Sequence, residues 1–521
     1  MKGVAYEDTI RGTFDKNDNQ QFFTPYQIVD FMVQLLTDHL HGTICDPACG
    51  TGGFLTKIPN TGAKQTLLGF EVDERLAWIS NLNLLIHGMK CFNIAALPSG
   101  GSLGEKANSF FNTVDVILTN PPFGSDYTDR ALLDTFTLGR NKPSRRRGIL
   151  FIEQAWNLLK ENGLLGIIID QSVLNATSNY DVRKFILSHY KIKAIIELPE
   201  TAFMPYANVN SSIMILEKVL KENPQKSIFY AKSEKIGRKN NGDDDYIYSC
   251  SQAPKLDSDL NDIVDKWKQY LAGNFIDEEK YFIADFDCSR QENPTLRIDY
   301  AYHHPFREKS KKQLEKSAYE LKTLAELCEE RNHSFIPSSD EGTPVILYTG
   351  LANIESFSGR AIQVPTPAAS IKSSVKRYEP GDIIFAKMRP SLRKISVMNF
   401  DKGGYVSSEC SVLTVRKNTD GEDIINPYLL SALLRSDFVF GQIMSYVTGI
   451  GRPRISQQML RKILIPYPPQ DIQTMVMLSL NSTMDLVRQL REKASLLNAE
   501  ADTMASNILN KVANSLLGGT L

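Results

Sequence analysis

The apolar run Val114-Asp115-Val116-Ile117-Leu118-Thr119 stops on Asn120-Pro121-Pro122-Phe123, and this ending constrains the chain more than any other feature. Consecutive prolines supply no backbone donors and hold φ near about −65°, so a strand cannot run on through them. Five further short runs share this apolar character: Thr43-Ile44-Cys45, Thr66-Leu67-Leu68-Gly69-Phe70, Leu165-Gly166-Ile167-Ile168-Ile169, Ala194-Ile195-Ile196-Glu197-Leu198 and Ser212-Ile213-Met214-Ile215-Leu216. Near-continuous apolar strands imply a sheet buried on both faces. Alternation with helical patterns predicts a doubly wound, Rossmann-like α/β layer structure over residues 1 to about 217.

A glycine turn, Asp46-Pro47-Ala48-Cys49-Gly50-Thr51-Gly52-Gly53-Phe54, follows the first strand and opens a helix. Glycine lets the backbone turn tightly and approach a ligand without a β-carbon clash. Asp46 falls at the carboxyl end of the strand, where such sheets bind ligands and where a carboxylate can accept from an ammonium group. Glu71 and Asp73 end the next strand, the place from which an acid takes ribose hydroxyls in dinucleotide folds. Alone, the turn is no more than a tight strand-to-helix connection. With Glu71 and the downstream Asn120 motif, it reads as the cradle of a nucleotide-like cofactor.

Asn120 to Phe123 supplies a matching chemistry. An exocyclic amine on a nucleobase is a poor nucleophile because its lone pair is delocalised into the ring. Two acceptors for its N–H groups favour the pyramidal form and free the lone pair. The Asn120 side-chain oxygen and the Pro121 carbonyl can be those acceptors, Pro122 stiffens the loop, and Phe123 offers a flat face for stacking. A methyl donor that is already a sulfonium cation then needs position and electrostatics, with neither metal nor strong base. The two segments together read as methyl transfer from S-adenosylmethionine to the amine of adenine.

These motifs closely resemble the γ-group of N6-adenine DNA methyltransferases, above all the modification subunits of type I restriction systems, over residues from about 14 to 217. Gln21-Phe22-Phe23-Thr24-Pro25 resembles the family's opening cofactor segment, which closes over the methionine part of the ligand; Gln20 stands where glycine is usual. Asp46 to Phe54 resembles the main cofactor motif, Glu71 the ribose-binding acid, and Asn120 to Phe123 the catalytic motif. Leu159 to Gly166 resembles the helix-to-strand junction that follows. Ser99-Gly100-Gly101-Ser102-Leu103 lacks the acid that the family often carries before Ser-Leu. The resemblance puts Asn208-Val209-Asn210-Ser211-Ser212 in the target-base pocket, with Phe203 and Tyr206 as candidates for a second stacking aromatic.

Beyond that region, residues 218–295 read as a polar connector, in which Ser258 to Leu271 has the apolar spacing of a helix. Residues 296–469 resemble a target-recognition domain of type I specificity subunits, an α+β unit. Its opening segment would be Arg297 to Pro305, its internal elements Gly381 to Ile384 and Ala386 to Pro390, and its closing segments Gly449 to Ile455 and Ile465 to Pro469. A long helix over residues 470–521 carries Val487, Leu490, Ala494, Leu497, Ala501, Met504 and Ile508 in strict steps of three and four, which reads as a coiled-coil seam, with one amphipathic helix packed on its own domain as the alternative. One recognition unit per chain suggests two chains paired through this helix as a homodimer, reading two half-sites in double-stranded DNA.

At 521 residues, 42% hydrophobic and 23% charged, the chain has the composition of a soluble globular protein of several domains. No run is long enough to span a bilayer. Met1 to Asp8 has no signal-peptide core, and scattered cysteines suit a reducing cytoplasm rather than a disulfide framework or zinc site. The net charge of −1 decides nothing about DNA, which needs local positive surface. Candidates for that surface are Lys142 to Arg147, Lys387, Arg389, Arg393, Lys394, Arg452 and Arg454, with solvated charge as the alternative. His303-His304 reads as packing or surface, and Asp243 to Asp245 as a solvated loop. No nuclease constellation is visible, so any cleavage belongs to a separate restriction subunit. Methylation of cytosine N4, of RNA or of a glutamine side chain is the rival among enzymes. A DNA-binding specificity module with a vestigial methyltransferase fold is the rival among binding proteins.

Overall fold

The computed structural model describes residues 24–59, 65–98, 100–123, 126–207, 209–220, 227–249, 252–286, 293–337, 345–444, 446–448 and 453–516. Gln21, Phe22 and Phe23, Ser99, Asn208 and residues 449–452 lie outside them. The chain divides into two compact units, Met1–Glu308 with Val447–Arg454, and Lys309–Tyr446 with Ile455–Leu521.

The first unit is built on a nine-stranded sheet. Its strands are β1 (Gly42–Asp46), β2 (Gln65–Glu71), β3 (Phe92–Ala96), β4 (Val114–Thr119), β5 (Leu159–Asp170), β6 (Tyr190–Glu197), β7 (Ser211–Lys218), β8 (Ser227–Lys232) and β9 (Tyr281–Asp285). Their spatial order is β9-β8-β6-β7-β5-β4-β1-β2-β3. Strands β3, β2, β1, β4 and β5 run parallel, and β7 is inserted antiparallel between β5 and β6. Successive residues enter opposite faces. Val116 and Leu118 of β4 join one hydrophobic cluster with the helix Tyr26–Leu35, while Ile117 joins the other with the helix Arg147–Leu158. Both faces are therefore buried, which is why the strands read as unbroken apolar runs.

The sheet continues well past residue 217. Strand β8 pairs with β6, and β9 closes the edge against β8 with Ser227 opposite Asp285. Between them the helix Leu260–Leu271 packs back onto the core, its Trp267 indole N–H donating to the Leu35 carbonyl at 2.9 Å. The segment expected to be a connector thus supplies two strands of the sheet and a covering helix. Likewise Arg297 to His303 belongs to this unit. Ile298 and Tyr300 are buried in its core, and His303 stacks on Tyr230 with centroids 5.3 Å apart. The boundary falls near residue 308, later than the expected start at 296. Asp244 is no solvated-loop residue either: it accepts from the hydroxyls of Tyr26 and Tyr246 and from the Gln27 amide.

The second unit is α+β. A four-stranded sheet (Cys328–Glu330, Cys410–Val415, Ile383–Ala386, Ile395–Val397) and a five-stranded sheet are followed in the chain by the helices Pro427–Arg435 and Asp437–Met444. Glu320–Thr323 pairs with Leu464–Tyr467, and the next residues start the helix Gln470–Leu516. Of the basic residues proposed for DNA contact, Arg393 is held by Asp437 and the Arg435 carbonyl and packs over Phe440, and Lys394 donates to the Leu351 carbonyl.

Candidate active site

In this strand order the chain leaves β1 in one direction and β4 in the other, which opens a crevice at the carboxyl ends of these two neighbours. Parallel pairing puts the end of β2 on the same edge. The expected residues converge there because Asp46 ends β1, Glu71 ends β2 and Asn120 follows β4. A cavity of about 770 Å³ opens at this edge, lined by Pro47, Ala48, Gly50, Glu71 and all four residues Asn120 to Phe123.

Asp46 is fully enclosed. Its Oδ1 accepts from the Ala48 N–H at 3.0 Å and from the Thr119 hydroxyl at 2.8 Å. Burial pushes its carboxyl up to about 7 despite these two hydrogen bonds, which act in the other direction. Glu71 reaches back across the glycine turn. One oxygen accepts from the Gly50 N–H at 2.9 Å, the other from Val72 and Asp73 at 2.8 and 3.0 Å. Burial raises this carboxyl too. Gly50 sits at φ +52°, and a β-carbon built on it meets no protein atom within 4 Å.

Other expected cofactor residues shape the site without lining the cavity. Gly52, at φ +84°, is pressed on the helix Glu74–Ile86, where a β-carbon would come within 2.6 Å of the Ser80 hydroxyl. The Thr51 carbonyl accepts from the Asn83 amide, Gly53 starts a short helix, and Phe54 is buried in the core. Asp73 caps the helix Glu74–Ile86 and is bound by the Arg75 guanidinium, which lowers its carboxyl. It is occupied as a cap, not turned to the cavity. The Pro25 carbonyl accepts from Ile28 and Val29 at the start of the helix Tyr26–Leu35. Thr24 reaches Asn120 itself, whose Nδ2 donates to the Thr24 hydroxyl at 2.9 Å. Asn120 Oδ1 is buried without a hydrogen-bond partner, a costly state for an amide oxygen.

Phe123 lies edge-on to Phe203, centroids 5.4 Å apart. Phe203 is fully buried, so it braces Phe123 rather than offering a face to a base. Tyr206 lies beneath the Arg238 guanidinium. In the basic run, Arg145 is buried against Asp181, Arg146 pairs with Asp170, and Lys142 also reaches Asp181. Arg147 alone of this run lines the cavity, above the Tyr127 ring.

Gly100 to Leu103, from the segment compared above with a family motif, line the cavity, and Phe70, Val72, Leu76, Pro98, Tyr127 and Phe151 are walls that the sequence reading did not single out. The Gly100-Gly101 pair was the visible signal, since both adopt left-handed backbone at φ +82° and +60°. Tyr127 and Phe151 are recognisable only through the fold.

The family profile described as N-6 DNA Methylase matches residues 1–286, more than half of the chain. The chain belongs to the N-6 DNA methylase family. Among curated relatives, the EcoEI type I restriction enzyme methylase subunit of Escherichia coli is 26% identical over 246 residues, covering 44% of this chain and 48% of that protein. The type II methyltransferase M.VspI of Vibrio sp. (strain 343) is 30% identical over 201 residues, covering 37% and 46%. The match spans about half the length of each of these relatives. The crystal structure of a type I restriction-modification methyltransferase subunit from Streptococcus thermophilus aligns at TM-score 0.44 and 19% identity, covering 58% of this chain and 62% of that one.

Such an enzyme draws its methyl group from S-adenosylmethionine, and the residues present fit that ligand. Gly50 leaves open the space that a β-carbon would fill, and Asp46 is a buried carboxylate with no ion-pair partner among the described residues. Asp46 would hold the ammonium group, and Glu71, with its remaining lone pairs, the ribose hydroxyls.

Proposed function

We propose that the chain is a site-specific DNA methyltransferase of a restriction-modification system that methylates N6 of an adenine rotated out of the duplex. The observation that carries this reading is Asn120 Oδ1, buried without a partner in the wall of a cavity that Glu71 also lines, with Asp46 enclosed next to the lining residue Pro47. S-adenosylmethionine supplies a methyl group on a sulfonium. The chain's own residues do the rest. Asn120 Oδ1 and the Pro121 carbonyl accept from the two N–H groups of the amine, and Phe123 braced by Phe203 faces the base. The amine nitrogen gains the methyl and releases one proton to solvent.

The second unit selects the DNA sequence, and a separate subunit performs any restriction. The exposed seam of the helix Gln470–Leu516 pairs two copies of the chain: Leu490, Leu497, Met504 and Ile508 are each at least 57% exposed. No helix among the described residues is long and apolar enough to cross a membrane, in keeping with an enzyme that works on DNA in the cytoplasm. The test is base-resolution mapping of methylated adenine in cells expressing the chain beside cells expressing Asn120→Ala. Marks at one recurring sequence, lost in the variant, are expected. Unmarked DNA with a folded, cofactor-binding protein overturns the reading.

A further inference from the structure

We infer that Thr24 is a positioning residue for methyl transfer, its hydroxyl being the outer acceptor that lets Asn120 turn its oxygen to the reacting amine. The inference rests on the methyl-transfer reading.

An asparagine side chain ends in two groups of similar size and opposite polarity. Turning the amide half-way round about its last torsion meets little steric resistance, because that torsion is broad. The productive orientation has Oδ1 toward the amine. It therefore drives Nδ2, with two N–H groups, into the protein on the far side. Such a donor needs an acceptor there, or the orientation carries the penalty of a buried unsatisfied group. Thr24 Oγ1, 2.9 Å from Nδ2, is that acceptor, and Oδ1 is then the end left without a hydrogen-bond partner. The main chain at this point is held separately, since the Thr119 hydroxyl donates to Asp46 Oδ1 at 2.8 Å. Thr119 thus sets where Asn120 stands, and Thr24 sets how its amide is turned. The threonine assigned by resemblance to the cofactor is in this arrangement a partner of the base-binding amide.

The test compares wild-type chain with Thr24→Val, which keeps the shape and removes the hydroxyl, and with Thr24→Ser, which restores it. Tritiated S-adenosylmethionine at saturation and DNA from an unmethylated host give the single-turnover rate. Calorimetry with S-adenosylhomocysteine gives cofactor affinity. Thr24→Val is expected to lose roughly tenfold or more in rate while its affinity stays within about twofold, and Thr24→Ser to recover most of the rate. A Thr24→Val enzyme with full rate overturns the inference, as does one whose loss lies in cofactor affinity alone. If Thr24→Val melts early, Thr24→Ala is read by the same criteria. A wild-type chain that transfers no methyl overturns the methyl-transfer reading itself; an active wild type with an equally fast Thr24→Val overturns only the role of Thr24.

Discussion

Cofactor affinity should depend on pH through Asp46. This side chain is 2% exposed. Burial moves its carboxyl from 3.8 to about 7, with the hydrogen bonds from Ala48 and Thr119 recovering only part of the loss. That displacement corresponds to about 4 kcal/mol against the ionised form in the protein alone, at ~1.4 kcal/mol per tenfold. A ligand ammonium needs the ionised form. For a group titrating near 7, the ionised fraction is about one-tenth at pH 6 and about nine-tenths at pH 8, so S-adenosylhomocysteine should bind about tenfold more weakly at pH 6. Stability of the ligand-free protein runs the opposite way. A carboxyl whose folded value exceeds its unfolded one favours folding below about pH 4, and that contribution is lost as pH rises through about 7. The ligand offsets the loss, so the rise in melting temperature on adding it should grow from pH 6 to 8. Calorimetry across this range is the assay, with methylthioadenosine, which lacks the ammonium group, as a ligand whose affinity should stay flat. Glu71 is also raised by burial, so Asp46→Asn separates the two: it should weaken binding and flatten the profile. An unchanged slope in Asp46→Asn refutes the assignment of the ammonium to Asp46.

Phe203→Ala removes the ring behind Phe123 and should cost about 3 kcal/mol or more of stability while slowing methylation in the protein that remains folded; a rate equal to wild type would show that Phe123 needs no brace. Arg183 is fully buried and donates to the carbonyls of Val173, Ala176 and Thr295, so Arg183→Met should destabilise the first unit by about 3 kcal/mol, read by denaturant melts; a neutral result would mean those carbonyls find other donors. Leu490→Glu with Leu497→Glu should convert a dimer to a monomer in light scattering without lowering the melting temperature of the sheet domains, since both side chains are more than half exposed; a monomeric wild type removes the pairing idea.

The parts of the fold legible in the sequence are those whose cause is local. The six runs read as strands are strands because each is buried on both faces, and double burial leaves an unbroken apolar signature. Strands β8 and β9 were missed for the converse reason. Ile228 to Ala231 is a short apolar run inside a polar stretch, and Tyr281 to Asp285 lies at the sheet edge with only Tyr281 and Phe282 buried. Neither run can declare itself, because their pairing spans a long stretch of chain, from Ser227 against Asp285 to Ala231 against Tyr281. Once this pairing exists it also recruits Ile298, Tyr300 and His303, whose aromatic packing on Tyr230 and Phe282 moves the unit boundary downstream.

The site divides along the same line. Residue types at strand ends could be read, because a carboxylate or an asparagine that terminates a buried strand must face the sheet edge. Which partner each one meets could not. Asp73 and Glu71 look equivalent two positions apart, yet the helix that begins at Glu74 takes the Asp73 carboxylate for its own exposed N–H groups, leaving Glu71 to span to Gly50. Thr24 and Asn120 stand 96 residues apart and meet only because the helix Tyr26–Leu35 packs on the face of the sheet that buries Val116 and Leu118. Arg145 and Arg147 are indistinguishable in a run of basic residues. Their separation into a buried ion pair with Asp181 and a cavity wall follows from one step of chain, at the point where a two-residue strand becomes the helix Arg147–Leu158. The chemistry is thus written in residue types at strand ends, while its orientation is set by long-range packing, and it is on the packing that substitutions at Thr24 and Phe203 should act.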